Sequence, residues 1–439
     1  MTVSPQRRQE VLDALRRGTV PHLGLDLLAV GLDRFAGTID GELAAAEGGA
    51  GIFKALRGEY GSGKTFFARW LCERAKRRGF ATAEVQISET ETPLNRLETV
   101  YRRLIERLAI SAQPAGALRA IIDAWFFTLE QDVLAEGGIG ENDEEALLTR
   151  SHELMERRLA DISRSAPAFA AALRGYREAL AAGRREIAEG LLAWIAGQPN
   201  VAAEVKRAAK IKGEIDHFGA LSFLQGLLVV LRDSGHPGLI VVLDEVETLQ
   251  RVRGDMRDKG LNALRQLLDE IDAGRFPGLY LLVTGTPAFF DGPMGVQRLP
   301  PLAQRLGVDF ATDARFDNPR AVQIRLRNFD LPGLEEVGRR VRDLFAEGSA
   351  AAERLRQLAS DAYLANLADA VTGALGGKVG IAPRLFLKKL VADVLDRIEQ
   401  FPDFDPREHY ALTLAAGELT PEEQAVLGVK RADQIAIEL

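Results

Sequence analysis

The stretch LRGEYGSGKTFFARW (residues 56–70) decides the fold. Gly58, Gly61 and Gly63 stand where an apolar run gives way to an amphipathic helix pattern. Glycine there costs backbone entropy and supplies no packing surface, so it must serve another purpose. The letters GEYGSGKT fit G-x-x-x-x-G-K-[ST] at Gly58, Gly63, Lys64 and Thr65. Glycines in this spacing let successive backbone N–H groups curl around phosphate with no side chain in the way. Lys64 would reach the β and γ phosphates and Thr65 would offer a hydroxyl to Mg²⁺. Glu59, Tyr60, Gly61, Ser62 and Phe66 complete the candidate cofactor-binding loop, and the helix that follows adds its positive end.

The flanking pattern is what such a loop requires. GIFKALRG (51–58) reads as a strand entering it, and KTFFARWLCERAKRRG as the helix leaving it, with Phe67, Leu71 and Ala75 on one face. FATAEVQIS (80–88), LIVVLDEVETL (239–249), LYLLVTGTP (279–287) and AVQIRLRNF (321–329) read as further strands. Strands apolar on both sides and alternating with helices predict a parallel sheet covered on both faces, an α/β fold. Residues 94–233 are rich in Ala, Leu, Arg and Glu, which predicts helices throughout and a large helical insertion between the second and third strands. Within it, the acidic ENDEEALL (141–148) precedes Arg157, Arg158, Arg184, Arg185, Lys206, Arg207, Lys210 and Lys212. Acidic residues are interleaved with these cations, so they read as a solvated helical surface rather than a phosphate-tracking face. Residues 4–18 read as a short amphipathic helix, and the chain is helical from Leu331, with breaks at LGGKVGIAPR and FPDFDPREHY.

Bulk properties narrow the function classes. The chain has 439 residues, 46% of them hydrophobic and 27% charged, as in ordinary globular proteins. A net charge of -7 gives no general attraction to nucleic acid, so DNA would be met through a local patch or a partner. Cys72 stands alone and reads as core filler, which excludes a disulfide framework. The five histidines show no metal-ligand spacing, and no G-x-S-x-G nucleophile elbow is present. The N-terminus lacks the apolar core of a signal peptide and no stretch has transmembrane length, so a cytoplasmic protein without membrane contact is expected.

A second motif gives the loop its chemistry. Asp244 and Glu245 end an apolar strand, where paired carboxylates are costly without a cation or water network. Asp244 would hold the Mg²⁺ shell and Glu245 would polarise the attacking water as general base. Either Thr284 or Thr286, at the end of the next strand, would hydrogen-bond that water or the γ-phosphate. Arg298 or Arg305 would reach a neighbouring subunit's nucleotide, and Arg384, near a helix start, would fold back onto the phosphates. VPHLG (20–24), with Pro21 and His22, would wall the adenine.

Assembled in this order, the residues resemble an AAA+ ATPase, a P-loop NTPase. GEYGSGKT resembles Walker A and LIVVLDE Walker B, VTGTP stands at sensor 1, PLAQRL at the arginine finger and APR at sensor 2 in a helical lid. More narrowly, GEYGSGKTFFARWL, LDEVETL and IAPRLFLKKLVADVLD are similar to the BREX phage-defence ATP-binding proteins of BrxD type, which resemble the origin-recognition initiator clade. The resemblance implies ATP as the nucleotide, Mg²⁺, a homo-oligomer, and a helicase or other defence-system partner, with DNA met directly or through it. It implies four parts: 1–93 with Walker A, a helical insertion at 94–233, 234–330 with Walker B and sensor 1, and a C-terminal helical lid with a tail at 331–439. No winged-helix pattern follows the lid, which weighs against direct duplex binding. Two rival readings are a slow-turnover nucleotide-gated scaffold and a transposition-type target-DNA regulator.

Overall fold

The structure, a computed structural model, describes residues 3–137, 144–374 and 382–413. Part of the acidic 141–148 stretch, the glycine break before Arg384 and the tail from residue 414 lie outside the described residues. Five strands, β1 (Ile52–Arg57), β2 (Ala81–Gln86), β3 (Leu239–Asp244), β4 (Leu279–Gly285) and β5 (Gln323–Arg325), form one parallel sheet in the order β2-β3-β4-β1-β5. The expected parallel α/β architecture is therefore present.

Side-chain alternation along the strands divides the core between the two faces of the sheet. Ile240, Val242, Tyr280 and Leu282 pack on Phe35, Phe67 and Trp70. Val241, Leu243, Leu281 and Val283 pack on the opposite side against helices that lie between β2 and β3. Seven such helices are present among the described residues, from Leu97–Arg107 to His217–Asp233. Their centre is Phe223, which meets Tyr101, Phe169 and Trp194 edge-on at 5.2–6.0 Å between ring centroids. The burial of these rings is continuous with the sheet. Of the cations singled out there, Arg158 pairs with Asp132 on another helix, and Arg174 and Arg177 make similar part-buried pairs between helices.

The N-terminal helix Pro5–Arg16 joins the helices after Leu331. Val11, Leu12 and Leu15 are buried with Val337, Val341, Leu390 and Val394, and Arg16 Nε donates to Asp396 at 2.8 Å. Cys72 is buried in the core, which pushes its thiol well above the ordinary range. No described helix is long and apolar enough to cross a membrane.

All five strands are shorter than the stretches read as strands, and two of them markedly so. The run 239–249 stops being a strand at Asp244; Glu245 turns to φ 60°, and Val246–Gln250 forms a short tight helix. The Thr248 N–H and hydroxyl both donate to the Glu245 carbonyl, at 3.1 and 3.0 Å, which closes the turn. β5 keeps only three residues of the nine at 321–329, because Arg327 and Asn328 are already exposed.

The register is what builds a site. Arg57 lies opposite Gly285, and Asp244 lies opposite Gln86. The carboxyl ends of β1, β2, β3 and β4 therefore come together at one edge, where open parallel sheets receive ligands.

Candidate nucleotide site

The loop after β1 starts the helix Lys64–Lys76. Gly63 sits at φ 92°, a conformation that L side chains rarely adopt. A Cβ on Gly58 would come within 2.3 Å of Ser62 Oγ. Ser62 is buried and its hydroxyl finds no hydrogen-bond partner, so the loop encloses an unmatched polar group. Lys64 is also buried. Its ammonium donates to the carbonyls of Gly58 at 2.9 Å and Glu59 at 3.2 Å and lies 5.2 Å from the centre of the Tyr60 ring. Burial draws its pKa below the ordinary lysine value, while the carboxylates of Glu247, Asp244 and Glu245 act in the other direction.

Asp244 is the hub. Thr65 Oγ1 donates to Asp244 Oδ2 at 3.0 Å, and the Thr284 hydroxyl donates to Oδ1. The Glu245 N–H reaches both Asp244 Oδ1 and Thr284 Oγ1 at 3.2 Å. Thr65 and Asp244 thus present oxygen donors of the kind a hard divalent cation takes. Among the described residues no group of three or more His, Cys, Asp or Glu is arranged to hold a metal.

A cavity of about 310 Å³ opens between the loop and the C-terminal helices. Tyr60 to Phe66, Asp244, Glu245 and Glu247 form one wall, and Val20, Pro21, Phe329, Pro383 and Arg384 contribute to the other. Of the residues expected at the adenine, Pro21 lines this cavity. His22 instead lines an adjoining polar cleft of about 500 Å³, where burial and then Arg69 lower its pKa.

The structure separates the paired candidates. Thr284 is at Asp244, whereas Thr286 stands at the N-terminal boundary of the short helix Pro287–Asp291, with no side-chain cap bond. Arg305 is paired with Asp269 at 2.8 Å and Asp272 at 2.5 Å, and Arg298 with Asp258; neither lines the cavity of its own chain.

Two neighbours were not among the sequence candidates. Gln86 Nε2 donates to Glu245 Oε2 at 2.9 Å. Glu247 is 4% exposed, lines the cavity, and has carboxylate oxygens that no other residue hydrogen-bonds. Burial raises its pKa to about 7, with Lys64 and its own N–H opposing. The alternation of β2 could have pointed to Gln86 once the β2–β3 register was known; nothing local in the sequence marks Glu247.

A parallel sheet with a glycine loop at one strand end and adjacent carboxylates at another, facing a cavity of about 310 Å³, defines an α/β protein consistent with a P-loop NTPase. The chain belongs to a particular family of this kind: the BREX system ATP-binding protein BrxC/D family, whose model matches residues 3–414. Membership carries ATP binding in a phage-defence system. No curated protein and no solved structure matches the chain.

Proposed function

We propose that the protein is an AAA+ ATPase that hydrolyses Mg-ATP and works as an oligomeric switch or motor within a BREX-like defence system, beside a helicase or other DNA-directed partner. The observation that carries this reading is the Thr65–Asp244–Thr284 hydrogen-bond chain beside Lys64, with Glu245 on its rim. It is the arrangement that phosphoryl transfer to water needs, since catalysis there is largely positioning and charge stabilisation.

In this reading the loop amides and Lys64 bind the phosphates. Thr65 and Asp244 hold Mg²⁺, which supplies charge neutralisation when bound. Glu245 accepts a proton from the water whose oxygen bonds to the γ-phosphorus, while the bond from that phosphorus to the β–γ bridging oxygen breaks, leaving ADP and phosphate. Thr284 holds Asp244 and the Glu245 backbone in register. Arg384 reaches the phosphates from the C-terminal helices of the same chain, and Arg305 reaches those of a neighbouring copy. The division into a core at 1–93 and 234–330, a helical insertion at 94–233 and a lid at 331–439 belongs to the same proposal.

The Gln86 bond to Glu245 favours a second reading, a slow-turnover nucleotide-gated scaffold in which the general base is held back. Steady-state ATP hydrolysis across a protein concentration series, with and without single-stranded and duplex DNA, separates the two. Specific activity that rises with concentration and is lost in Glu245→Gln supports the motor. Tight ATP binding with flat, near-zero turnover under every condition supports the scaffold.

A further inference from the structure

Glu247 is a buried acid that the proposed hydrolysis does not use. It stands three residues past Asp244, in the cavity wall, with no hydrogen-bond donor from another residue at either carboxylate oxygen. A carboxylate so placed is costly as an ion. The charged groups facing it are Lys64 from the loop helix and Asp244 and Glu245 from the end of β3; Arg384 of the C-terminal helices lines the same cavity. Of the two cations, Lys64 is the one whose charge acts on the Glu247 carboxylate, and its own bonds go to two carbonyls rather than to a carboxylate. Glu247 thus shares the cavity wall with Lys64 and feels its charge, without an ion pair between them.

We propose that Glu247 couples nucleotide binding to proton uptake: as the phosphates engage Lys64, the Glu247 carboxylate takes one proton from solvent and becomes a neutral acid. The inference rests on the reading of this cavity as the ATP site. Its physical basis is that Mg-ATP, still a net anion with the Mg²⁺ charge counted, both removes the attraction of Lys64 and adds repulsion on entering a low-dielectric cavity, and each favours the protonated carboxyl. The starting point supports this, because burial already holds Glu247 near neutrality at about 7. The proton comes from bulk water or buffer, so no other bond is made or broken.

The test is calorimetric titration of the full chain with a non-hydrolysable ATP analogue and Mg²⁺, between pH 7 and 9, in buffers of different protonation enthalpy. The expected result is uptake approaching one proton per nucleotide at pH 8 and a Kd that weakens towards tenfold per pH unit above pH 7. In Glu247→Gln the uptake should vanish beyond what the analogue itself contributes, and Kd should become flat with pH. Glu247→Leu is the second variant should the first fold poorly, and the wild-type pH series stands alone if both do. Nucleotide binding with no proton uptake, or equal uptake in the Glu247 variants, overturns the inference while leaving the ATP site intact. Absence of nucleotide binding to the wild type overturns the site reading and this inference with it.

Discussion

Replacing Thr284 by valine tests whether Asp244 depends on its hydrogen-bond frame. Thr284 is fully buried, so valine keeps the shape and removes only the hydroxyl. That hydroxyl donates to Asp244 and accepts from the Glu245 N–H. A hydrogen bond to a charged group contributes roughly 1.5–3 kcal/mol, and a neutral one roughly 0.5–1.5. Asp244 keeps Thr65 and is only half-buried, so water recovers part of the loss. The expected destabilisation is about 2 kcal/mol. A second consequence concerns Glu245, a non-glycine residue held at φ 60°. That conformation costs about 1–2 kcal/mol, and the Thr284 bond to its N–H helps to hold it. Loss of the bond should let Glu245 relax and lower ATP turnover by about 10- to 100-fold, taking 1.4 kcal/mol per factor of ten. Urea unfolding midpoints and steady-state phosphate release measure the two effects, with Thr284→Ser as the control that restores the hydroxyl. Valine and serine variants that match each other and the wild type in both assays would refute the reasoning.

Other perturbations address separate parts of the site. Gln86→Ala removes the donor on Glu245 Oε2, so basal turnover should rise by up to about tenfold, the equivalent of one hydrogen bond; unchanged turnover means that the bond restrains nothing. Gly58→Ala drives a Cβ towards Ser62 Oγ and should weaken nucleotide binding, while adding Ser62→Gly should recover it in a fluorescent-nucleotide titration. Arg305→Ala breaks exposed pairs with Asp269 and Asp272 and should cost under about 1 kcal/mol of stability. A fall in turnover with stability retained, reversed by mixing with a subunit that has a dead Walker A but keeps Arg305, would identify a finger acting across subunits. Lys54 is 2% exposed, and its ammonium meets Glu42 at 2.5 Å, with Tyr280 also donating to Glu42 at 2.7 Å. Glu42→Gln leaves that cation buried without its counter-charge and should cost about 3–5 kcal/mol in urea unfolding.

Much of the candidate site was legible because its residues are close in sequence. The loop residues from Gly58 to Thr65 are consecutive, and the glycine spacing has few other physical explanations. The strand cores were legible for a related reason: five consecutive buried apolar residues in β3 belong only in a sheet covered on both sides. The strand ends were not legible. Val246 and Leu249 are as apolar as the residues before them, and only the left-handed turn at Glu245 takes them out of the strand. Pairing one threonine or one arginine with Asp244 or with an acidic helix also needs the tertiary structure. Thr284 and Thr286 are two residues apart on the same apolar strand pattern, yet only Thr284 reaches Asp244.

Gln86 shows where the missing information resides. It is an ordinary polar residue at the end of β2, and its importance comes wholly from standing opposite Asp244 in the β2–β3 register. A slip of one residue would send its side chain to the opposite face of the sheet, towards the helices between β2 and β3, and no restraint on Glu245 would exist. The β2–β3 register therefore places an amide against the carboxylate proposed as the general base. Register is fixed by burial: Ala81, Ala83 and Val85 must face the helical core, which leaves Thr82, Glu84 and Gln86 on the side of the loop helix. Core packing on one face of β2 thus sets the position of Gln86 against Glu245 on the other. A core substitution such as Val85→Ala should then disturb turnover more than its distance from the phosphates suggests. Turnover that stays constant while stability falls by the 1–3 kcal/mol expected of a deleted buried side chain would show the two faces to be independent.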